Sequence, residues 1–129
     1  MTKDLNRDVA VASTLAPALR TTTASGATVD LQGYGKAAFV AHIGVVTDGT
    51  HAFDPEESDD GSTWANIAST DLSGTFVSAT SSADETVQEV GYLGTKRYVR
   101  CNVTVTGSPS TGGLIAVSVV RSGARTLPV

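Results

Sequence analysis

From Tyr98 to Thr106 the chain alternates without a break: Val99, Cys101, Val103 and Val105 point one way, and Tyr98, Arg100, Asn102 and Thr104 the other. A period of two puts successive side chains on opposite faces of an extended chain, so the segment reads as a strand with one buried face, and Cys101 as a core residue. The pattern returns after Gly107-Ser108-Pro109-Ser110-Thr111-Gly112-Gly113, where Ile115, Val117 and Val119 share a face, and the loop predicts that the two strands pair antiparallel. Elsewhere short runs of Val, Thr and Ile are cut by Gly, Ser, Asp and Pro, and no long segment keeps a helical period of apolar residues. The expected fold is all-β, a single β-sandwich, jelly-roll-like or open-barrel domain of about seven to eight antiparallel strands.

A chain of 129 residues is one domain, with one core and reason to gain from oligomerisation. Ala, Gly, Ser and Thr supply 60 of the residues, which makes a quiet, easily buried surface. Further strands are expected at 28–31, 37–47, 51–57, 63–68, 75–79 and 86–93. Segment 37–47 is apolar on both faces, with Phe39, Ala41, Ile43 and Val45 on one side and Ala38, Val40, Gly44 and Val46 on the other. That pattern belongs to a central strand or to one covered by a partner. His42 lies on the second face, where a lone histidine reads as a core or interface residue. Residues 1–27 lack regular alternation and read as an extended N-terminal arm, or alternatively as an edge strand and loop of the same domain. The sandwich is placed at 28–121 and a polar, basic tail at 122–129.

The net charge of −4 hides a division. Ten of the thirteen acids fall between Lys36 and Lys96, and no base does. The ends hold all nine bases and three acids, so they sum to +6 and suit a surface of opposite sign, unless the fold pairs the charges internally. Bases this few, without interleaved aromatics, argue against nucleic acid as a partner. No apolar run approaches the roughly 20 residues that span a bilayer, so no membrane partner is expected. A single cysteine and no secretion-type leader point to folding in a reducing cytoplasm.

Asp54-Pro55-Glu56-Glu57-Ser58-Asp59-Asp60-Gly61-Ser62-Thr63-Trp64 predicts a hairpin with an acidic tip, turned at Asp60-Gly61. Pro55 cannot donate to a ladder, so the first arm should lie at an edge or carry a bulge. The tip is the one place where clustered oxygens suggest a cation, but it lacks the ligand order of a helix-flanked calcium loop and reads as a solvated turn. Trp64 reads as a core residue closing one end of the sandwich, with a sugar platform as the alternative. His42, His51 and a core-facing Cys101 make no catalytic constellation, and no cofactor motif is present.

Several segments resemble a family of small structural proteins of tailed bacteriophages and prophages. They are Asp4-Leu5 with Ala16-Pro17-Ala18 and Arg20-Thr21, then Val29-Asp30-Leu31 with Gly33-Tyr34, Thr47-Asp48-Gly49-Thr50-His51, Glu57-Ser58-Asp59-Asp60-Gly61-Ser62-Thr63-Trp64, and Gly91-Tyr92-Leu93-Gly94-Thr95-Lys96-Arg97-Tyr98-Val99-Arg100. The resemblance implies a non-enzymatic virion component, made in the host bacterial cytoplasm and carried on the capsid surface as a cement or decoration protein. Its implied partners are the major capsid protein and itself, with a trimer favoured by the threefold positions of an icosahedral shell. A head–tail connector or tail component is the alternative within virions, and a carbohydrate-binding surface module the alternative of another class. Contacts with partners are expected from the ends of the chain: Lys3, Arg7, Val9, Val11, Leu15, Leu19 and Arg20 at the start, Arg121 and Arg125 at the finish. Exposed ion pairs contribute only about 0–1 kcal/mol each, so the apolar members of that set should matter most.

Overall fold

The computed structural model describes residues 4–123, and among them nine strands build two antiparallel sheets. In chain order they are β1 (Val9–Arg20), β2 (Val29–Asp30), β3 (Lys36–Val46), β4 (Thr50–Ser58), β5 (Ala65–Asn66), β6 (Leu72–Ser73), β7 (Thr86–Tyr92), β8 (Tyr98–Thr106) and β9 (Gly113–Ser122). The larger sheet runs β1-β9-β3-β7-β6 and the smaller β2-β8-β4-β5, and the core lies between them as in a β-sandwich. Phe39, Ile43, Val90, Ile115, Val117 and Val119 come from the larger sheet, and Val99, Cys101 and Val103 from the smaller. Phe76, on an irregular segment, packs edge-on to Phe39 at 6.2 Å and against Phe53 at 5.2 Å.

β8 and β9 alternate as the sequence predicts but do not pair with each other. β8 lies between β2 and β4, and β9 between β1 and β3, so the connecting loop crosses from one sheet to the other and the buried rows of the two strands face each other through the core. Asp48 holds that crossover. Its carboxylate accepts from the backbone N–H groups of Gly112 (2.5 Å), Ser110 (2.9 Å) and Thr111 (3.2 Å), and those bonds, Gly112 first, hold its pKa below the ordinary value. A depressed carboxylate pKa contributes stability above the unfolded-state value and loses it as pH falls through the folded-state value. Asp48→Ala should therefore melt lower than the parent at pH 7, with the gap closing in acid. A gap that stays constant down to pH 2 would show that the charge of Asp48 is not what holds the loop.

Of the two readings of 1–27, the structure supports the edge strand and loop of the same domain: among the described residues this stretch holds the edge strand β1 and a strap, not an extended arm. β1 pairs with β9 from Val9 opposite Ser122 to Arg20 opposite Gly113, and Leu15 is 2% exposed within the core. Two register shifts, at Ser13/Leu15 and Leu15/Ala18, break the alternation and accommodate Pro17 at the edge, which is why the sequence shows no regular period of two there. Residues 21–28 then cross to the smaller sheet, where Ala24 bridges Val103. Thr14 Oγ1 donates to the carbonyl of Ala27 (2.7 Å) and accepts from the N–H of Cys101 (3.0 Å), joining edge strand, strap and β8. The sandwich therefore starts at Val9 rather than at 28 and runs through Ser122.

Other departures are local. Val45 is half exposed and Val46 buried, because the β3–β9 register shifts between Ile43 and Val46. The strand expected at 75–79 is irregular up to a bridge between Ala79 and His51; at Val77, the Gln88 side chain replaces a ladder by bonding both the N–H and the carbonyl. Cys101 is fully buried and its thiol pKa is pushed up to about 12, chiefly by burial. A thiol reagent should label it only in denaturant; labelling of the native protein within seconds would contradict that placement.

Candidate interaction surface

The acidic hairpin forms between β4 and β5, with Gly61 at φ +78 in its turn. Each of its five carboxylates has a donor from the protein. Asp60 Oδ1 accepts from Thr63 N–H, Ser62 N–H and Ser58 Oγ, which lowers its pKa. Glu56 accepts from Arg100 (2.7 Å) and Asn102 (2.8 Å), Glu57 from Tyr92 Oη (2.6 Å), Asp59 from Lys96 (2.8 Å), and Asp54 from Thr104. Burial and the bond to Glu57 raise the Tyr92 pKa, so its hydroxyl stays a donor. Among the described residues no group of three or more His, Cys, Asp or Glu is placed to hold a metal. Pro55 lies where β8 alone flanks β4 by a ladder, because β5 pairs only with Glu56 and Glu57.

The division of charge along the chain is undone in space. Lys96, Arg97 and Arg100 meet Asp59, Asp30 and Glu56, the Arg97–Asp30 contact being bidentate, and it lowers the Asp30 pKa. The terminal bases are likewise engaged: Arg7 pairs with Asp4, Arg20 donates to the carbonyl of Ala16, and Arg121 donates to the carbonyl of Asp30 while lying 4.7 Å over the Tyr34 ring. Lys3 and Arg125 fall outside the described residues.

Trp64 is not a core residue. It is half-buried beside a cleft of about 230 Å³ at the hairpin tip, with the Arg100 guanidinium 4.2 Å from its ring centroid. The turn at Ser58–Gly61 carries the indole outside the sandwich. His51 is the buried histidine, and its ring contacts the Asp48 carbonyl at 3.2 Å; His42 is exposed.

Among the described residues, nothing covers the outer face of the larger sheet. Ladder partners share a face, so Val9, Val11, Ser13 and Leu19 of β1 stand with Ser122, Val120, Ser118 and Leu114 of β9. Ala38, Val40 and His42 of β3 continue the surface, which reaches Glu89 and Val87 on β7. Val11, Leu19, Val87 and Leu114 are 47–61% exposed, and around them the residues are small. The bulge of β1 lifts Pro17 beside Ala116, Gly44 and His42 to rim a depression of about 330 Å³. Of the partner-contact set expected from the sequence, Val9, Val11 and Leu19 lie on this face and Leu15 points away into the core. The contributions of β3, β7 and β9 were signalled only by the apolar second face of 37–47.

Fold and surface together define a two-sheet domain whose acidic hairpin is partnered internally and whose larger sheet carries a largely apolar outer face, with Lys36, His42 and Glu89 upon it, that no other described residue covers. Comparison of the chain with family models, with curated proteins and with solved structures gave no match.

Proposed function

We propose that the chain is a non-enzymatic structural protein of a tailed-phage head, a cement or decoration protein that lies across major capsid subunits and self-associates on the virion surface after folding in the host cytoplasm. The observation that carries this reading is the uncovered outer face of the larger sheet. A contiguous apolar face on a small soluble domain marks an interaction surface. The resemblance of the segments around Val29, Asp48, Gly61 and Tyr92 supplies the setting. Modest contacts repeated at equivalent positions give a durable shell through multivalency, without a strong single interface.

The test is to add purified protein to isolated heads that lack it and to count bound copies by quantitative mass spectrometry. Saturable binding at many equivalent positions, with heads that withstand more heating, is expected. A single ring at one vertex would favour the connector reading, and no binding would contradict a head role. A carbohydrate-binding module is the second reading, favoured by the open position of Trp64 beside its cleft. Glycan binding lost in Trp64→Ala would support it.

A further inference from the structure

We propose that the cleft between segment 31–37 and the β7–β8 connection takes a carboxylate side chain, borne beside an apolar residue on a protruding segment of the partner protein that covers the outer sheet face. This rests on the reading of that face as an interaction surface but not on the capsid role. The cleft has a volume of about 470 Å³, within the range of about 300–1,000 Å³ typical of ligand sites. Lys36, Lys96 and Arg97 line it, and among the described residues no acid does, on a chain whose net charge is −4. Its apolar lining includes the rings of Tyr34 and Tyr92. Both are held in place: Tyr92 Oη donates to Glu57 and accepts from the N–H of Lys96, and the Arg121 guanidinium lies 4.7 Å from the Tyr34 ring centroid.

Charge selects a single carboxylate. Arg97 already holds Asp30 bidentately and Lys96 holds Asp59, so each has its counter-ion. Lys36 is exposed, and among the described residues it has no ion pair, which leaves one positive charge of the cleft unbalanced. A carboxylate matches that charge, whereas a phosphate monoester, at about −1.5 to −2, brings more than the cleft can balance. The backbone adds donors: Gly94 and Thr95 line the cleft, and among the described residues neither N–H has an acceptor. Successive unpaired N–H groups suit an anion. Position selects the bearer. Lys36 stands level with Ser122 and Val9 across β3, β9 and β1, at the end of the outer face, so a partner lying on that face reaches the cleft over this rim. An apolar residue beside the acid then meets the tyrosine rings.

NMR titration of the full chain tests the proposal with two sets of N-acetylated hexapeptide amides, one carrying a single Glu among varied apolar residues and the other Gln in its place, and with inorganic phosphate. Glu peptides should shift the amides of Lys36, Gly94 and Thr95 saturably, and their Gln counterparts should bind roughly tenfold more weakly. Lys36→Gln, a change at an exposed side chain, should weaken the Glu set by a similar factor, and Lys36→Arg should retain it. No saturable shift with any Glu peptide, equal binding of the two sets, a Lys36→Gln protein that binds as the parent does, or phosphate bound more tightly than every peptide would overturn it. Head binding by a protein that takes none of the peptides would leave the proposed function standing while removing this inference, and peptide binding without head binding would do the reverse.

Discussion

Deleting residues 1–20 is expected to leave a chain that does not fold. The deletion removes β1, which covers one edge of β9 along the length of the larger sheet, and with it Leu15, 2% exposed in the core. It also removes Thr14, whose hydroxyl satisfies the buried N–H of Cys101 and anchors the strap through the carbonyl of Ala27. Losing a buried leucine alone costs about 2–5 kcal/mol, and an unsatisfied buried N–H about 1–3 kcal/mol more. Against a typical total of about 5–15 kcal/mol, and with the face of β9 opened to water, little stability is left. Circular dichroism and proton NMR of the truncated chain should show a collapsed or aggregating protein. A dispersed spectrum with a cooperative melt near that of the full chain would restore the arm reading of the N-terminal residues.

Gly112→Ala is expected to lower the melting temperature by roughly 10–20 °C, which for a domain of this size corresponds to about 3–5 kcal/mol. Gly112 sits at φ +84, where an L-residue costs about 1–2 kcal/mol. The larger part is contact: a Cβ there would overlap the carbonyl oxygen of Arg20, so the end of β1 must move. That movement pulls on the 2.5 Å bond to Asp48 and on the bond from Thr47 N–H to the Gly112 carbonyl. Gly33→Ala is the matched control, with φ +89 and open space around the added carbon. It should shift the melt only by the conformational cost, and equal shifts in the two variants would show that the approach of β1 is not what fixes Gly112.

The elements legible in the sequence are those in which period two is unbroken. Tyr98–Thr106 and the buried row Ile115, Val117 and Val119 stand as the alternation predicts, and the Asp60-Gly61 turn with them. Illegible parts have identifiable physical causes. In β1, bulges shift the face of the strand twice within a few residues, so Leu15 looks like an isolated apolar residue although it is core. Pairing of β8 with β9 was the natural reading of a strand–loop–strand run, but the loop is long enough to change sheets and Asp48, distant in sequence, fastens it across the gap. Trp64 is drawn to the surface by a turn and an arginine that sequence spacing does not connect. The outer sheet face was half legible: the two-sided apolar character of 37–47 announced a covered strand, but only the ladder order shows that β1, β9 and β7 extend the same surface.

The central claim, that the outer face of the larger sheet is where this protein meets its neighbours, is tested most directly by hydrogen exchange with mass spectrometry on the free protein and on its assembled form. Exposed sheet amides differ from covered ones in their protection. The account predicts that protection gained on assembly concentrates in peptides containing Val11, Val40, Val87 and Val120, with little change around Glu56, Asp59 and Trp64. Protection gained at the acidic hairpin, with the larger sheet unchanged, would contradict it.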